Sequence, residues 1–470
     1  MQSRARQRIE TLLDSGTFNE TKPVPGRGAT GHLTGSGEID GRKVYVSAVV
    51  SEEVPLDVFD GYQHHLTLLE QALNNPAPVI MILDVPGHHK SATKSPFPQN
   101  PARLLVDKRG MGHWYSLHAQ LSGRVPQLCV VCAKMGAALT FPVAMCDAVV
   151  MLDDAGMSIG RPDVVKKIIG EQVDYKKLGS AEMHAEISGS VDSVVKTEAE
   201  AFTFIRNYLA YFPSYTGGSL PVSETYLPPA NAQSTVELIP DNPNVAFNMA
   251  NVIESLTDGG TFMQLRQSFA AEVMTGFARI EGRITGILAN NSLCQGGVFF
   301  PGSCRKATRF VSLCDAFGIP LVFLADSAGF MVGSAVEQEG IIREAALLFQ
   351  TIATTTVAKL SVAVRRDYTA GVYAMAGPGM NPEHFIALPT AVISIYGQVV
   401  ADKLSSENLN QQEIENRQEM LSGASNPDEL HQQGLIDEIV YADDLRMRIG
   451  QFLINKQTGA MASGRSVLLV

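Results

Sequence analysis

The chain has 470 residues, 45% of them hydrophobic and 18% charged; it is too apolar for disorder and too long for one ordinary core, so two domains are expected. A net charge of -11 repels phosphate backbones and anionic membranes, which argues against nucleic-acid and membrane partners. Met1 to Leu13 mixes Arg and Glu and reads neither as a signal peptide nor as a membrane span of about 20 residues, and the six scattered cysteines suit a reducing cytoplasm.

In chain order, Gly35-Ser-Gly-Glu-Ile-Asp-Gly41 has its third glycine one place late for a dinucleotide loop and precedes a strand-like segment, Lys43 to Val49, so it reads as a hairpin turn. Asp57 to Leu73 fits an amphipathic helix, and Val79 to Leu83, Leu128 to Cys132 and Ala148 to Leu152 are short apolar runs typical of strands buried on both faces. Cys129-x-x-Cys132 lies inside such a run with no second pair nearby, so buried packing is expected rather than a zinc site, which needs four ligands. Gly156-Met-Ser158-Ile-Gly160 spells a nucleophile elbow, but Arg161-Pro162 follows where a helix should open, so a turn and strand are expected. Glu198 to Tyr211, Arg305 to Phe317 and Glu337 to Ile352 read as helices. This alternation argues for stacked β-α units, without separating a doubly wound sheet from a β-α superhelix.

The chain also repeats itself at a domain-sized period. Ile9-Glu10-x-Leu12-x-Asp14-x-Gly16-Thr17-Phe18 returns as Ile253-Glu254-x-Leu256-x-Asp258-x-Gly260-Thr261-Phe262. Thr30-Gly31 and Thr275-Gly276, Gly41-Arg42 and Gly282-Arg283, Asp84-x-x-Gly87 and Asp326-x-x-Gly329, and Ser158-Ile159 and Ser394-Ile395 follow in the same order. Between the copies, Ser219 to Asn244 is rich in Pro, Ser and Asn, as a linker should be, which gives expected domains of 1–235 and 236–470.

Gly296 to Gly333, with Glu339-Gly-Ile-Ile-Arg343, Tyr368 to Gly377 and Leu388 to Gly397, resembles the carboxyltransferase (beta) subunits of biotin-dependent acyl-CoA carboxylases of the methylcrotonyl-/propionyl-CoA type. Arg8 to Phe18, Pro162 to Lys166 and Gly189 to Asp192 are similar to the first half of that family. The resemblance implies an α/β protein of two tandem crotonase-like (ClpP/crotonase) β-α superhelical domains and a homohexamer built as a trimer of dimers. It implies that the first domain holds an acyl thioester, on CoA or a carrier protein, and the second faces carboxybiotin. The biotin carboxyl carrier protein and biotin carboxylase are expected on separate chains, since the sequence holds no Ala-Met-Lys-Met, and no metal is expected.

By the same resemblance, catalysis rests on backbone N–H groups aimed at developing oxyanions. A strand entering a tight Gly/Ala turn and then a helix exposes such groups. The residues that match are Gly136, Ala137 and Ala138 for the thioester and Ala370, Gly371 and Val372 for the biotin ureido oxygen, with Gly329, Phe330 and Gly333 expected at the biotin site and Tyr368 and Tyr373 reading either as lining that pocket or as core packing. The family's usual Gly-Gly pair is replaced by Ala137-Ala138, and its segment after the first turn by Gly87-His88-His89-Lys90, which points to an unusual acyl group or a carrier-bound one. His88 and His89 read either as solvated loop residues or as substrate contacts, and Lys90 as a solvated charge or a phosphate contact. Asp326 reads first as a strand-end turn former. The alternatives are a biotin-dependent decarboxylase running the transfer backwards, a biotin-independent crotonase-type hydratase or hydrolase, and a scaffold that has lost the first oxyanion hole.

Overall fold

The computed structural model describes residues 3–21, 32–50, 58–85, 102–230, 232–395, 410–416, 426–457 and 462–470. The chain divides into two compact units, Met1–Ser219 with Gly464–Leu469, and Leu220–Ser463 with Val470.

In the first unit the strands are β1 (Asn19–Glu20), β2 (His32–Ile39), β3 (Arg42–Val50), β4 (Val79–Asp84), β5 (Gln127–Val131), β6 (Lys134–Gly136), β7 (Ala148–Leu152), β8 (Gly156–Ser158) and β9 (Ser193–Val195). Seven of them form one sheet in the order β1-β2-β3-β4-β5-β7-β9, while β6 and β8 pair separately. β1, β2 and β3 are antiparallel, and from β3 onward the pairing is parallel. All six residues of β4 and all five of β5 are buried, as expected of unbroken apolar runs. The helices Val58–Asn74 and Met111–Leu121 cover this sheet, with Leu66, Leu69, Trp114 and Leu117 packing on Met81, Cys129 and Val149. Cys129 is accordingly a buried free thiol, and burial pushes its pKa well up.

The second unit repeats the plan: β10 (Met263–Leu265), β11 (Val273–Ile280), β12 (Arg283–Asn290), β13 (Leu321–Ser327), β14 (Lys359–Tyr368), β15 (His384–Ala387), β16 (Val392–Ser394) and β17 (Glu438–Ile439). The sheet runs β10-β11-β12-β13-β14-β15-β17, with β16 paired to the far end of β14. The sequence repeat has a physical basis in matched bonds. Arg206 donates to Leu12 O at 2.9 Å and Asp14 at 2.8 Å, and Arg446 donates to Leu256 O at 3.0 Å and Asp258 at 2.9 Å. The other oxygen of each aspartate accepts from Gly41 N–H at 2.9 Å or Gly282 N–H at 2.8 Å, fixing the hairpin after β2 and after β11.

The expected helix Glu337 to Ile352 is two helices, Ser334–Gln338 and Ile341–Thr354, because Gly340 between them takes a φ of 86° that no helix interior allows. The Pro-, Ser- and Asn-rich stretch is tied down: Ser223 N–H donates to Gly282 O at 3.2 Å and Gly259 N–H to Leu227 O at 3.0 Å. Ser158 ends strand β8 and no helix opens on it, since Arg161 caps the helix Pro162–Ile169. Among the described residues, no helix is long and apolar enough to cross a membrane.

Candidate active site

In the second unit two turns meet at the ends of adjacent parallel strands. β13 ends at Ser327, whose hydroxyl donates to Gly297 O at 3.1 Å and accepts from Gly329 N–H at 3.0 Å. Phe299 N–H donates to Gly329 O and Met331 N–H to Phe299 O, both at 2.9 Å, so the Gly296-Gly297 loop and the Ser327–Met331 turn are stitched together. β14 ends at Tyr368, and Thr369, at φ 54°, turns the chain into the helix Gly371–Ala374. A side chain on Gly329, itself at φ 98°, would collide with Thr369 Oγ1, and a Cβ on Gly371 would stand 3.1 Å from Gly329 Cα. Glycine at both positions lets the turns approach.

The first bonds inside that short helix run from Tyr373 and Ala374 N–H to Ala370 O, both at 3.2 Å. The amides of Ala370, Gly371 and Val372 precede them and have no intrahelical acceptor. Phe299, Phe330, Phe349 and Tyr373 line up beside them with ring centroids 5.2, 5.7 and 6.1 Å apart, and Tyr373 is 47% exposed. Tyr368 is buried, while Gly333, at φ 131°, is exposed. Amides without an intrahelical acceptor thus stand next to an apolar wall of aromatic rings.

Below this turn lies a charge cluster that sequence reasoning missed. Asp326 is fully buried and takes Arg365 at 3.0 and 3.2 Å and Arg366 Nε at 2.9 Å. Burial alone would raise its pKa, but the bonds and charges of Arg366 and Arg365 hold it below the ordinary value. Arg365 also donates to Asn242 O at 3.0 Å and Val245 O at 2.5 Å, and Arg366 to Gly296 O at 2.9 Å. Asp326 is thus more than a turn former; it anchors the strand that feeds the turn at Thr369. The sequence signal was there: Arg-Arg-Asp interrupts an otherwise apolar strand. Asp367 is also fully buried, neither of its oxygens has a hydrogen-bond partner among the described residues, and burial pushes its pKa up to about 7.

In the first unit, β6 and β8 occupy the place that the end of β14 and β16 occupy in the second. Gly136 pairs with Ser158 as Tyr368 pairs with Ser394. This register puts Gly136 on the strand and equates Ala137, Ala138 and Leu139 with Thr369, Ala370 and Gly371. Leu139 therefore enters as a turn residue that the Gly/Ala pattern had not marked. Ala137–Leu139 forms a single 3-10 turn leading into the helix Thr140–Ala144, and Tyr115 Oη donates to Ala138 O at 3.0 Å, fixing the turn's orientation. The buried acid here is Asp84, met by Arg8 Nη1 at 2.7 Å, with Glu198 on the other edge of the same guanidinium at 2.6 and 2.9 Å. His88, His89 and Lys90 lie outside the described residues. No group of three or more His, Cys, Asp and Glu among the described residues is placed to hold a metal.

The family described as the carboxyl transferase domain matches residues 2–464. The chain is 37% identical over 464 residues to an uncharacterized carboxylase, YngE, of Bacillus subtilis, covering 95% of this chain and 89% of that one. It is 30% identical over 489 residues to the propionyl-CoA carboxylase beta chain of Cereibacter sphaeroides, covering 98% and 91%. Among solved structures, transcarboxylase 12S, described as a hexamer assembly with hydrolyzed methylmalonyl-coenzyme A bound, superposes with a TM-score of 0.86 at 26% identity, over 97% of this chain and 90% of that one. The expected pair of crotonase-like domains is the fold shared with that structure.

Proposed function

The chain belongs to the carboxyl transferase domain family, and from that premise we propose that it moves a carboxyl group between carboxybiotin, held on a separate carrier protein, and the α- or γ-carbon of an acyl thioester. Its family makes it an enzyme of the acyl-CoA carboxylase carboxyltransferase type. The observation that carries the finer reading is the turn at Thr369, which leaves the amides of Ala370, Gly371 and Val372 at a helix start against Gly329. Bound biotin supplies the carboxyl group and, once it has given that up, a basic site for the substrate's proton.

The chain's own residues hold and polarise. The amides of Ala370, Gly371 and Val372 donate to the ureido oxygen, where preorganised N–H groups stabilise negative charge without reorganisation. The Phe330, Phe349 and Tyr373 rings form the apolar side of that site and keep water from it. In the first unit the amides of Ala138 and Leu139 meet the thioester oxygen as the enolate forms. The Asp326–Arg365–Arg366 cluster touches neither reactant; it fixes the strand that presents the second turn. The working protein is proposed as a cytoplasmic homohexamer served by a biotin carboxylase and a biotin carboxyl carrier protein on other chains, supported by the hexamer described for transcarboxylase 12S.

The test mixes the purified protein with carrier protein bearing labelled carboxybiotin and a panel of CoA and carrier-protein thioesters. Labelled carboxyl is expected on at least one thioester. Substitution of Gly371 by Val, whose side chain would press on Gly329 and push the turn and its amides out of place, is expected to cut the rate about 10²- to 10³-fold, the cost of one misplaced oxyanion-hole donor. A carrier that binds without transferring, while a 2-carboxyacyl thioester returns its carboxyl to biotin, would replace the carboxylase reading with the decarboxylase one.

A further inference from the structure

We propose that Lys134 is an anion-recognising side chain of the acyl-thioester site, placed to hold the carboxylate of a 2-carboxyacyl thioester; the assignment rests on the carboxyltransferase reading above. It starts from strand register. β6 and β8 pair Lys134 with Gly156 and Gly136 with Ser158, and β14 and β16 pair Arg366 with Val392 and Tyr368 with Ser394. Lys134 therefore stands where Arg366 stands in the second unit.

The two cations meet different surroundings. Arg366 is consumed within its own unit by Asp326 Oδ1 at 2.9 Å and Gly296 O at 2.9 Å. The corresponding acid of the first unit, Asp84 at the end of β4, is neutralised by Arg8 from the N-terminal helix at 2.7 Å. That exchange releases the strand cation. Among the described residues, Lys134 Nζ has no carboxylate within 4.0 Å and no hydrogen bond; its neighbour is the Tyr175 ring, 5.3 Å away. Tyr175 packs over Gly156, the residue facing Lys134 across the two strands, where a Cβ would meet its Cε1 at 2.8 Å. An aromatic face orients an ammonium without cancelling its charge.

Lys134 is exposed, and it shares a face of β6 with Gly136, about 7 Å along the strand. The ammonium is therefore within a lysine side chain's reach of the turn at Ala138 and Leu139. Carboxyl transfer at the α-carbon makes or consumes a carboxylate on the carbon next to the thioester carbonyl, and the amides of that turn do not neutralise it. The phosphates of a CoA thioester lie a whole pantetheine arm away, so the acyl end is the part that Lys134 meets.

The experiment measures calorimetric affinities of the full-length protein for methylmalonyl-CoA, propionyl-CoA and free CoA, in the wild type and in the Lys134→Gln and Lys134→Arg variants. Lys134→Gln is expected to weaken methylmalonyl-CoA by about 10- to 100-fold, the range for one lost charge-assisted hydrogen bond, while propionyl-CoA changes by less than about twofold. Lys134→Arg is expected to recover most of the loss, which a purely structural lysine would not predict. Equal weakening of all three ligands would overturn the carboxylate assignment in favour of a phosphate contact. Unchanged affinities would overturn it outright. A wild-type protein that binds neither thioester would sink the thioester reading and this assignment together, an outcome distinct from a variant that binds normally.

Discussion

Single residues set the electrostatics of this protein, and several do so against their burial. Asp326 stays ionised because two guanidiniums surround it, so replacing both arginines would strand a buried charge at a cost of about 3–5 kcal/mol, whereas replacing one leaves it paired with the other. Asp367, one residue beyond that pair, has no such partner, and burial pushes its pKa up to about 7. The folded state therefore binds its proton more tightly than the unfolded chain does. This contribution to stability is whole at low pH, where both states are protonated. It falls as pH rises from about 4, the unfolded value, through about 7. Replacing Asp367 by Asn removes the slope. Between pH 5 and 7, denaturant titrations are expected to show the variant gaining on the wild type by at most about 1.4 kcal/mol per pH step of one. A constant difference across that range would mean that Asp367 ionises freely.

At the scale of elements, the site depends on how strands end. Apolar runs located β4, β5 and β7, because burial on both faces writes itself into sequence. Where those strands stop, and which amides are then left open, depends on pairing register. Gly136 stays on β6 because it pairs with Ser158, which shifts the open turn onward to Ala138 and Leu139. Tyr115 makes this testable: its hydroxyl bond to Ala138 O is neutral and partly buried, so Tyr115→Phe should lower the carboxyl-transfer rate about 3- to 10-fold with little change in melting temperature. An unaltered rate with the same melting curve would show that the turn holds its shape unaided. The helix break at Gly340 could have been read from the glycine itself, but the continuous apolar periodicity on either side concealed it.

At the scale of the molecule, duplication is the governing fact, and the chain closes back on its beginning. Gly464–Leu469 belongs to the first unit, where Val467 is buried and its N–H donates to Ser122 Oγ at 3.0 Å. Deleting residues 464–470 should therefore loosen the first unit although the cut is made at the far end of the sequence. Hydrogen exchange is expected to rise around Ser122 to Val125 and not in β11 or β12; a rise confined to the second unit would refute this. By itself the sequence determined the two copies, the family, the buried strands and the place of the Gly/Ala turn after Tyr368, since each of these is a local pattern or a repeat. Only the tertiary structure decided which charges cancel. Asp84 and Asp326 occupy matching strand ends, yet one is met by an arginine far away in sequence and the other by two on a neighbouring strand, and that difference is what leaves Lys134 free. Ion pairing depends on distances of a few ångströms between segments that the chain order does not bring together, so no local pattern encodes it.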